Sequence, residues 1–363
     1  MSLPGEHLDP KSIAVAGGGL IGLSIAWRLA QQGFRVVLFE KGQIGGEASW
    51  AGAGMLAPGG EMDAPSRLAT LAIESRDIYA AFVREIEDAA KLAIDYQEGG
   101  ALELAYTPGE WTDLQAKAER QADLGIESKI VKESQLAAFW PRVNRRDLAG
   151  ALFYPQDAIV NPRELVIALS AACRQLGVDL QQNCPIQSAA IAQDRVTVTT
   201  RRAEEVFRAL VIAAGAWSGS IPVENVPPLP PSAPIKGHLI GYHQPDQTCN
   251  TIIRYGHTYL LQRANGLLIA GASVEHVGWN RSIEPAIAAS LAKQAGFILP
   301  HLNETTPSEI WVGFRPGSDQ LHLGRWHSSR LYLAYGHYRN GILLAPATAQ
   351  NIAREITASL QTQ

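Results

Sequence analysis

Short apolar runs alternate with longer stretches of helical spacing from near the start of the chain to its end. Residues 13–16 are an apolar run with β-branched members, which predicts a buried strand. Helical spacing follows from Ile21 to about Gln32 and closes at Gly33; a second run, 36–39, ends in Glu40. Leu68, Leu71, Ile78, Phe82 and Ile86 predict one long helix or two short ones over 67–96. Residues 101–105 predict a strand, and 111–124 and 134–138 predict helices with polar faces. The second of these ends at Trp140-Pro141, because the residue before proline disfavours helix. Asn161-Pro162 is a start signal, an N-cap asparagine before a first-turn proline, for a helix to about Leu176 that stops at Gly177. Residues 178–181 and 186–191 predict strands, and 195–200 alternates Val and Thr with period two. The buried run 209–213 opens onto Gly215-Ala216-Trp217-Ser218. The proline-rich stretch 221–234 predicts a stiff crossing between domains. Beyond it, 237–242, 259–262 and 267–270 predict an antiparallel sheet, and 284–297 a helix ending before Pro300. Residues 310–317 predict a strand into a turn, and 331–335 another strand, which feeds a glycine turn and a final amphipathic helix from near Gly341. There is no internal repeat and no low-complexity block.

Bulk properties narrow the picture. A chain of 363 residues exceeds one ordinary core, so two domains are expected. Hydrophobic content of 46% with 18% charged residues is that of a soluble globular protein. The net charge of −4, without a basic run, argues against nucleic acid and against an anionic lipid surface. Cys173, Cys184 and Cys249 show no metal or redox spacing and are expected to be buried thiols in a reducing compartment. The first eleven residues lack the apolar core of a secretory signal and read as a loose tail. No apolar stretch is long enough for a membrane span, so a cytoplasmic protein is expected.

The first strand, helix and second strand enclose Gly17, Gly19 and Gly22 in G-x-G-x-x-G spacing, with Glu40 at the end of the second strand. This is the dinucleotide-binding βαβ unit. Gly17 allows the tight turn, Gly19 leaves room for a pyrophosphate, and Gly22 lets helix and strand pack closely. The helix N-terminus offers unpaired N–H groups to phosphate. Glu40 can accept from both hydroxyls of a ribose and would repel a 2′-phosphate. The segment 41–60 is dense in Gly and Ala, which lets backbone approach a large flat ligand.

The fingerprint with Glu40, the segment 45–56, VIAAGAWSG, GFRPG and GHYRNGILLAPAT stand in the order found in the D-amino-acid oxidase superfamily of flavoproteins, which the chain resembles over nearly its whole length. Within it the resemblance is to the glycine oxidase group of the thiamine pathway. The resemblance implies a Rossmann-like FAD-binding domain of the α/β class, built from 1–92, 149–232 and 310–363. It also implies an α+β substrate domain with an antiparallel sheet from 93–148 and 233–309. FAD would be held non-covalently. Leu20 and Ile21 would lie over the pyrophosphate turn, and Glu40 and Lys41 at the ribose. Ala48, Ser49, Ala53, Gly54 and Met55 would line the flavin, and Ile186 would meet the adenine end. Gly215 and Trp217 join the cofactor set, and His337, Tyr338, Arg339, Asn340, Gly341, Ile342 and Leu343 would wrap the isoalloxazine edge. Glu47-Ala48 replaces a pair that is often basic or hydroxylated, which bears on local phosphate contacts.

The implied reaction is oxidation of glycine, sarcosine or a short D-amino acid to an imine that hydrolyses to an oxo acid, with O₂ reoxidising the flavin to give peroxide. Arg315 and Arg339 would face the substrate, with Tyr259 near its carboxylate and Met55 beside it. A guanidinium fork suits this task because it binds a carboxylate through two parallel charge-assisted bonds. Both arginines are expected in turns, where loop side chains meet ligands. His257, His276 and His337 have weaker claims. No acid, base or metal is demanded: a neutral amine can pass a hydride to flavin, and the last helix would aim its positive end at the flavin. A homo-oligomer is expected. The alternatives are a dehydrogenase passing electrons to a quinone or carrier, a hydroxylase or reductase lacking the paired arginines, and a flavin-bound subunit without catalysis.

Overall fold

A computed structural model describes residues 11–245, 249–327 and 329–361. The expected N-terminal tail lies almost entirely outside the described residues. The architecture is organised by two sheets that meet along a deep cleft. The first is six-stranded, in the order His322–Arg325, Leu331–Tyr335, Ala209–Ile212, Ser12–Ala16, Arg35–Phe39, Asp179–Gln181. Ser12–Ala16 pairs in parallel with both neighbours, Ile13 lying opposite Val36 on one side and Ala209 on the other. It is buried on both faces, which is why it reads as a continuous apolar run rather than an alternation. Ile13 and Val15 pack under the helices Leu20–Gln31, Arg67–Ala90, Pro162–Gln175 and Gly341–Gln361. Ala14 and Ala16 face the other way, with Val37 and Phe39, onto a small four-stranded sheet that presents Val196, Val198 and Phe207. The Val/Thr alternation of that strand is thus explained: its valines are fully buried and its threonines point outward or sit at its end.

The second sheet is eight-stranded, in the order Glu309–Gly317, Ala233–His243, Leu267–Gly271, Thr258–Gln262, Ile252–Tyr255, Ala101–Ala105, Gly150–Tyr154, Lys129–Ile130. It is antiparallel except where Ile252–Tyr255 runs parallel to Ala101–Ala105. Ile240, Tyr242, Leu260 and Leu268 on one face are covered by helix Pro285–Ile298. Leu239, Leu261, Ile269 and Trp311 on the other face join the core that runs to the first sheet. Gly150–Tyr154 and Glu309–Gly317, placed by the sequence within the cofactor segments, are hydrogen-bonded into this second sheet.

Several boundaries differ from expectation for identifiable reasons. The helix of 67–96 stops at Ala90, where Lys91 turns left-handed with φ 55°. The helix of 111–124 starts earlier, at Pro108, because Thr107 and Glu110 form a reciprocal capping box. Arg315 is not in a turn. GFRPG lies inside strand Glu309–Gly317, with Arg315 opposite Ile235; the strand is at the sheet's edge, so Pro316 costs no ladder bond on its open side. The glycine-rich stretch 41–60 contains the short helices Ala48–Ala51 and Pro58–Glu61 around strand Met55–Leu56. All three cysteines are buried. Among the described residues, no helix is long and apolar enough to cross a membrane.

Candidate active site

The cleft between the sheets holds a cavity of about 590 Å³ that runs from Glu40 to Arg315, a size typical of cofactor and small-molecule sites. Its first end is the glycine turn. Gly17 has φ +109°, and a Cβ there would lie 2.4 Å from the Ala213 carbonyl oxygen. A Cβ on Gly22 would lie 1.9 Å from the Gly17 oxygen, so Gly22 serves helix packing rather than facing the cavity. Gly19, Leu20 and Ile21 line the cavity at the start of helix Leu20–Gln31. That terminus has no side-chain cap from Gly19 and no acid in its first turn, and Leu20 N–H donates to Ser49 Oγ at 2.9 Å. Such an end suits an anionic group.

Glu40 is nearly buried, and each of its oxygens accepts one backbone N–H: Gly18 to Oε2 at 2.7 Å and Gly42 to Oε1 at 2.8 Å. The carboxyl group is thereby oriented, with a lone pair remaining on each oxygen for a ribose hydroxyl. Ile186, Ala213 and Gly215 complete this end. Lys41 lines it too, but its ammonium is turned onto Trp217, 3.3 Å from the ring centroid, and lies 3.3 Å from Glu47. Glu47 also takes Arg281 at 2.8 Å. The acid that departs from the family's usual pair is therefore occupied by two cations of the chain itself.

In the middle, Ala48, Ala53, Gly54 and Met55 line the wall with Ser49. Gly54 is required: φ is +107°, and a Cβ would lie 1.9 Å from Val160 O. Behind this wall stands Arg263, which no motif in the chain marks out. It is 2% exposed and donates through Nη2 to the carbonyls of Gly52 at 3.3 Å and Ala53 at 3.4 Å. Burial, with Arg163 close by, pushes its guanidinium down to about 10. On the opposite wall, His337, Tyr338, Arg339, Asn340, Gly341 and Ile342 line the cavity. Leu343 does not. Its side chain is in the helical core at 1% exposure and its carbonyl accepts Ser75 Oγ at 2.6 Å, because one helical turn carries it away from the cleft. His337 is buried and its Nε2 bonds Thr348 Oγ1 at 3.1 Å; burial pushes its imidazole down to about 3, so it stays neutral.

The far end gathers Tyr259, Arg315 and Arg339, with Glu61, which the sequence did not single out. Tyr259 stands on strand Thr258–Gln262 opposite Gly271, where a Cβ would lie 2.6 Å from its hydroxyl. Burial pushes that hydroxyl up to about 12 although Arg315 pulls the other way, so it keeps its proton and can donate. The two arginines differ in state. Arg315 is tied by Nη1, to Ser273 O at 3.0 Å and Lys236 O at 3.4 Å, and lies across Gly237, where a Cβ would sit 2.4 Å from Nη1. Among the described residues nothing bonds its Nε and Nη2, so its bidentate edge is open. The same edge of Arg339 is taken: Nε and Nη2 donate to Glu61 Oε2 at 3.1 and 2.6 Å. His257 stands exposed at the rim, while His276 is not among the lining residues.

A helix end with a glycine at its N-cap and no acid in its first turn, an oriented acid and a glycine-lined wall leading to a cationic head fit FAD. A family model described as FAD dependent oxidoreductase matches residues 12–355. The chain is 30% identical over 342 residues to the glycine oxidase of Bacillus licheniformis, which covers 93% of this chain and 91% of that one. It is 32% identical over 360 residues to the bifunctional protein ThiO/ThiG of a Synechocystis strain; the match takes in 94% of this chain and spans about half, 51%, of that protein. The crystal structure of glycine oxidase from Geobacillus kaustophilus superposes with a TM-score of 0.89 at 28% identity, covering 95% of this chain and 94% of that one. The chain belongs to the FAD-dependent oxidoreductase family, in the glycine oxidase group of the D-amino-acid oxidase superfamily, and FAD is its cofactor.

Proposed function

We propose that the chain oxidises glycine and other small amino acids, such as sarcosine and short D-amino acids, with O₂ as the final acceptor. Amino acid, O₂ and water give the oxo acid, ammonia or amine, and hydrogen peroxide. The observation that carries this reading is the open Nε/Nη2 edge of Arg315 beside the protonated hydroxyl of Tyr259, at the end of a dinucleotide cavity.

The chemistry FAD supplies when bound is acceptance of a hydride from the α-carbon and return of the electrons to O₂. The chain's own residues bind and orient. Arg315 takes both oxygens of the substrate carboxylate through its open edge, and Tyr259 donates to one of them. Holding the carboxylate at two points fixes the α-carbon, which is the entropic part of the acceleration. Among the described residues beside Arg315 and Tyr259, the Glu61 carboxylate and the His337 imidazole are already engaged. His337 is buried, neutral and bonded to Thr348, and the Glu61 carboxylate is held by Arg339. The substrate therefore reacts as the free amine. Met55 and Tyr259, both half-buried at the head of the cavity, limit the size of its substituents. The start of helix Gly341–Gln361 lines the cavity through Gly341 and Ile342 and presents its positive end where negative charge develops.

The test is a peroxide assay on the FAD-loaded protein over a panel of small amino acids, run beside an oxygen electrode. Matched oxygen uptake and peroxide release with glycine support the reading. Dye reduction by the amino acid without oxygen uptake would instead mark a dehydrogenase.

A further inference from the structure

Two fully buried ionisable side chains, Lys236 and His238, are used by nothing in the reaction. They stand on strand Ala233–His243, the neighbour of the strand carrying Arg315. Both are covered by residues 273–284, which leave strand Leu267–Gly271 and run to helix Pro285–Ile298. Glu275 joins this segment to the strand: its backbone pairs in both directions with Lys236, at 3.0 and 2.9 Å. Its carboxylate gathers the rest. Oε1 accepts from His238 Nδ1 at 2.7 Å and from the Ser273 hydroxyl, and Oε2 lies 3.5 Å from Lys236 Nζ. Lys236 Nζ also donates to Ser282 O at 2.6 Å. His238 Nε2 accepts Glu284 N–H at 2.9 Å, which fixes the ring as the neutral Nδ1–H tautomer.

The network ends at the substrate arginine. Ser273 Oγ accepts His238 N–H at 2.7 Å, so Ser273 is held at both its hydroxyl and, through Glu275, its neighbouring backbone. Its carbonyl is the nearer of the two acceptors of Arg315 Nη1, and Lys236 O, which also accepts Glu275 N–H, is the other. Both carbonyls that aim Arg315 are therefore set by residues bonded to Glu275. Resting on the function proposed above, we infer that Glu275, with His238, positions Arg315: the pair fixes the Ser273 and Lys236 carbonyls, which turn the open edge of the guanidinium toward the substrate carboxylate. Neither residue touches substrate.

Charge and position predict opposite signs, which makes the inference testable. Removing an acid near Arg315 should, by charge alone, tighten anion binding. Loss of positioning should weaken it. The experiment titrates FAD-loaded protein with acetate, an unreactive carboxylate, and follows the perturbation of the flavin spectrum; glycine KM and kcat are measured in parallel. Glu275→Ala should raise the acetate Kd and the glycine KM together, about tenfold or more, given what small misplacements of binding groups cost. It should leave FAD affinity unchanged, and kcat should fall as the α-carbon loses its fixed position. Glu275→Gln keeps an acceptor for His238 and Ser273 and should recover most of the loss. An acetate Kd that is unchanged or tighter in Glu275→Ala overturns the inference. Should that variant lose FAD, Ser273→Ala, which keeps the carbonyl and removes only the hydroxyl, carries the same test with the same two outcomes. A wild type that binds acetate but turns over no glycine would sink the proposed reaction, while the acetate arm would still decide the positioning role.

Discussion

Arg315 and Arg339 look alike in the sequence, each in a short motif with glycine, and both were expected to grip the substrate. Their hydrogen bonds separate them. Arg315 is braced through Nη1 with its bidentate edge open, whereas Arg339 spends that edge on Glu61. Arg315→Ala should therefore raise the glycine KM by roughly a hundredfold, in line with loss of a charge-assisted, bidentate pair, with FAD retained. Arg315→Lys keeps the charge without the fork and should recover only part of this. Arg339→Ala should act largely by exposing the Glu61 anion to the substrate carboxylate. The double variant Arg339→Ala with Glu61→Gln should then regain most of the lost affinity, as a double-mutant cycle on glycine KM would show. A direct carboxylate contact from Arg339 would give no such recovery. Glu61 could not be picked out beforehand, since its role depends on a partner 278 positions away.

At the level of turns, strands and helices, the glycine fingerprint was readable because each glycine has a local steric reason that a short stretch of chain carries. Gly54 is the same kind of position without a motif. Its φ of +107° and the Val160 carbonyl 1.9 Å from a would-be Cβ leave no room for a side chain. Gly54→Ala should lower the Tm by several degrees and reduce FAD retention, consistent with a cost of ~1–3 kcal/mol for a strained backbone. Calorimetry of the apo and FAD-loaded forms measures both. The strand through GFRPG was misread as a turn because proline inside a run argues against a strand; only the edge position in the sheet removes the objection, and edge positions are set by long-range pairing. Arg263 and Ser273 escaped notice for the related reason that their contacts run through backbone carbonyls, those of Gly52 and Ala53 for Arg263 and its own for Ser273, which no side-chain pattern announces.

Across the whole molecule, many strands of both sheets were legible as short apolar or alternating runs, whereas the pairing of a Rossmann-like domain with an antiparallel substrate domain came from the resemblance carried by the order of motifs along the chain. Interleaving of segments was expected as well, but not that strands Gly150–Tyr154 and Glu309–Gly317 would cross into the second sheet. That crossing places Arg315, on the second sheet, in the lining of the same cavity as the glycine turn. Global stability should carry the mark of His337. Its folded pKa of about 3 lies below the ordinary histidine value, so between the two the unfolded chain binds a proton that the folded one does not. Stability is then lost as pH falls through that window, by up to about 1.4 kcal/mol per pH unit from this group. Urea unfolding of His337→Gln against wild type from neutral to acid pH should show a shallower loss in the variant. The central claim is that one open guanidinium edge holds the amino acid for oxidation by the bound flavin. Anaerobic mixing of the FAD-loaded protein with glycine tests it most directly: the wild type should bleach its flavin, and Arg315→Ala should need far more glycine to reach the same rate. Equal glycine dependence in the two proteins, or a flavin that stays yellow with every small amino acid tried, would contradict it.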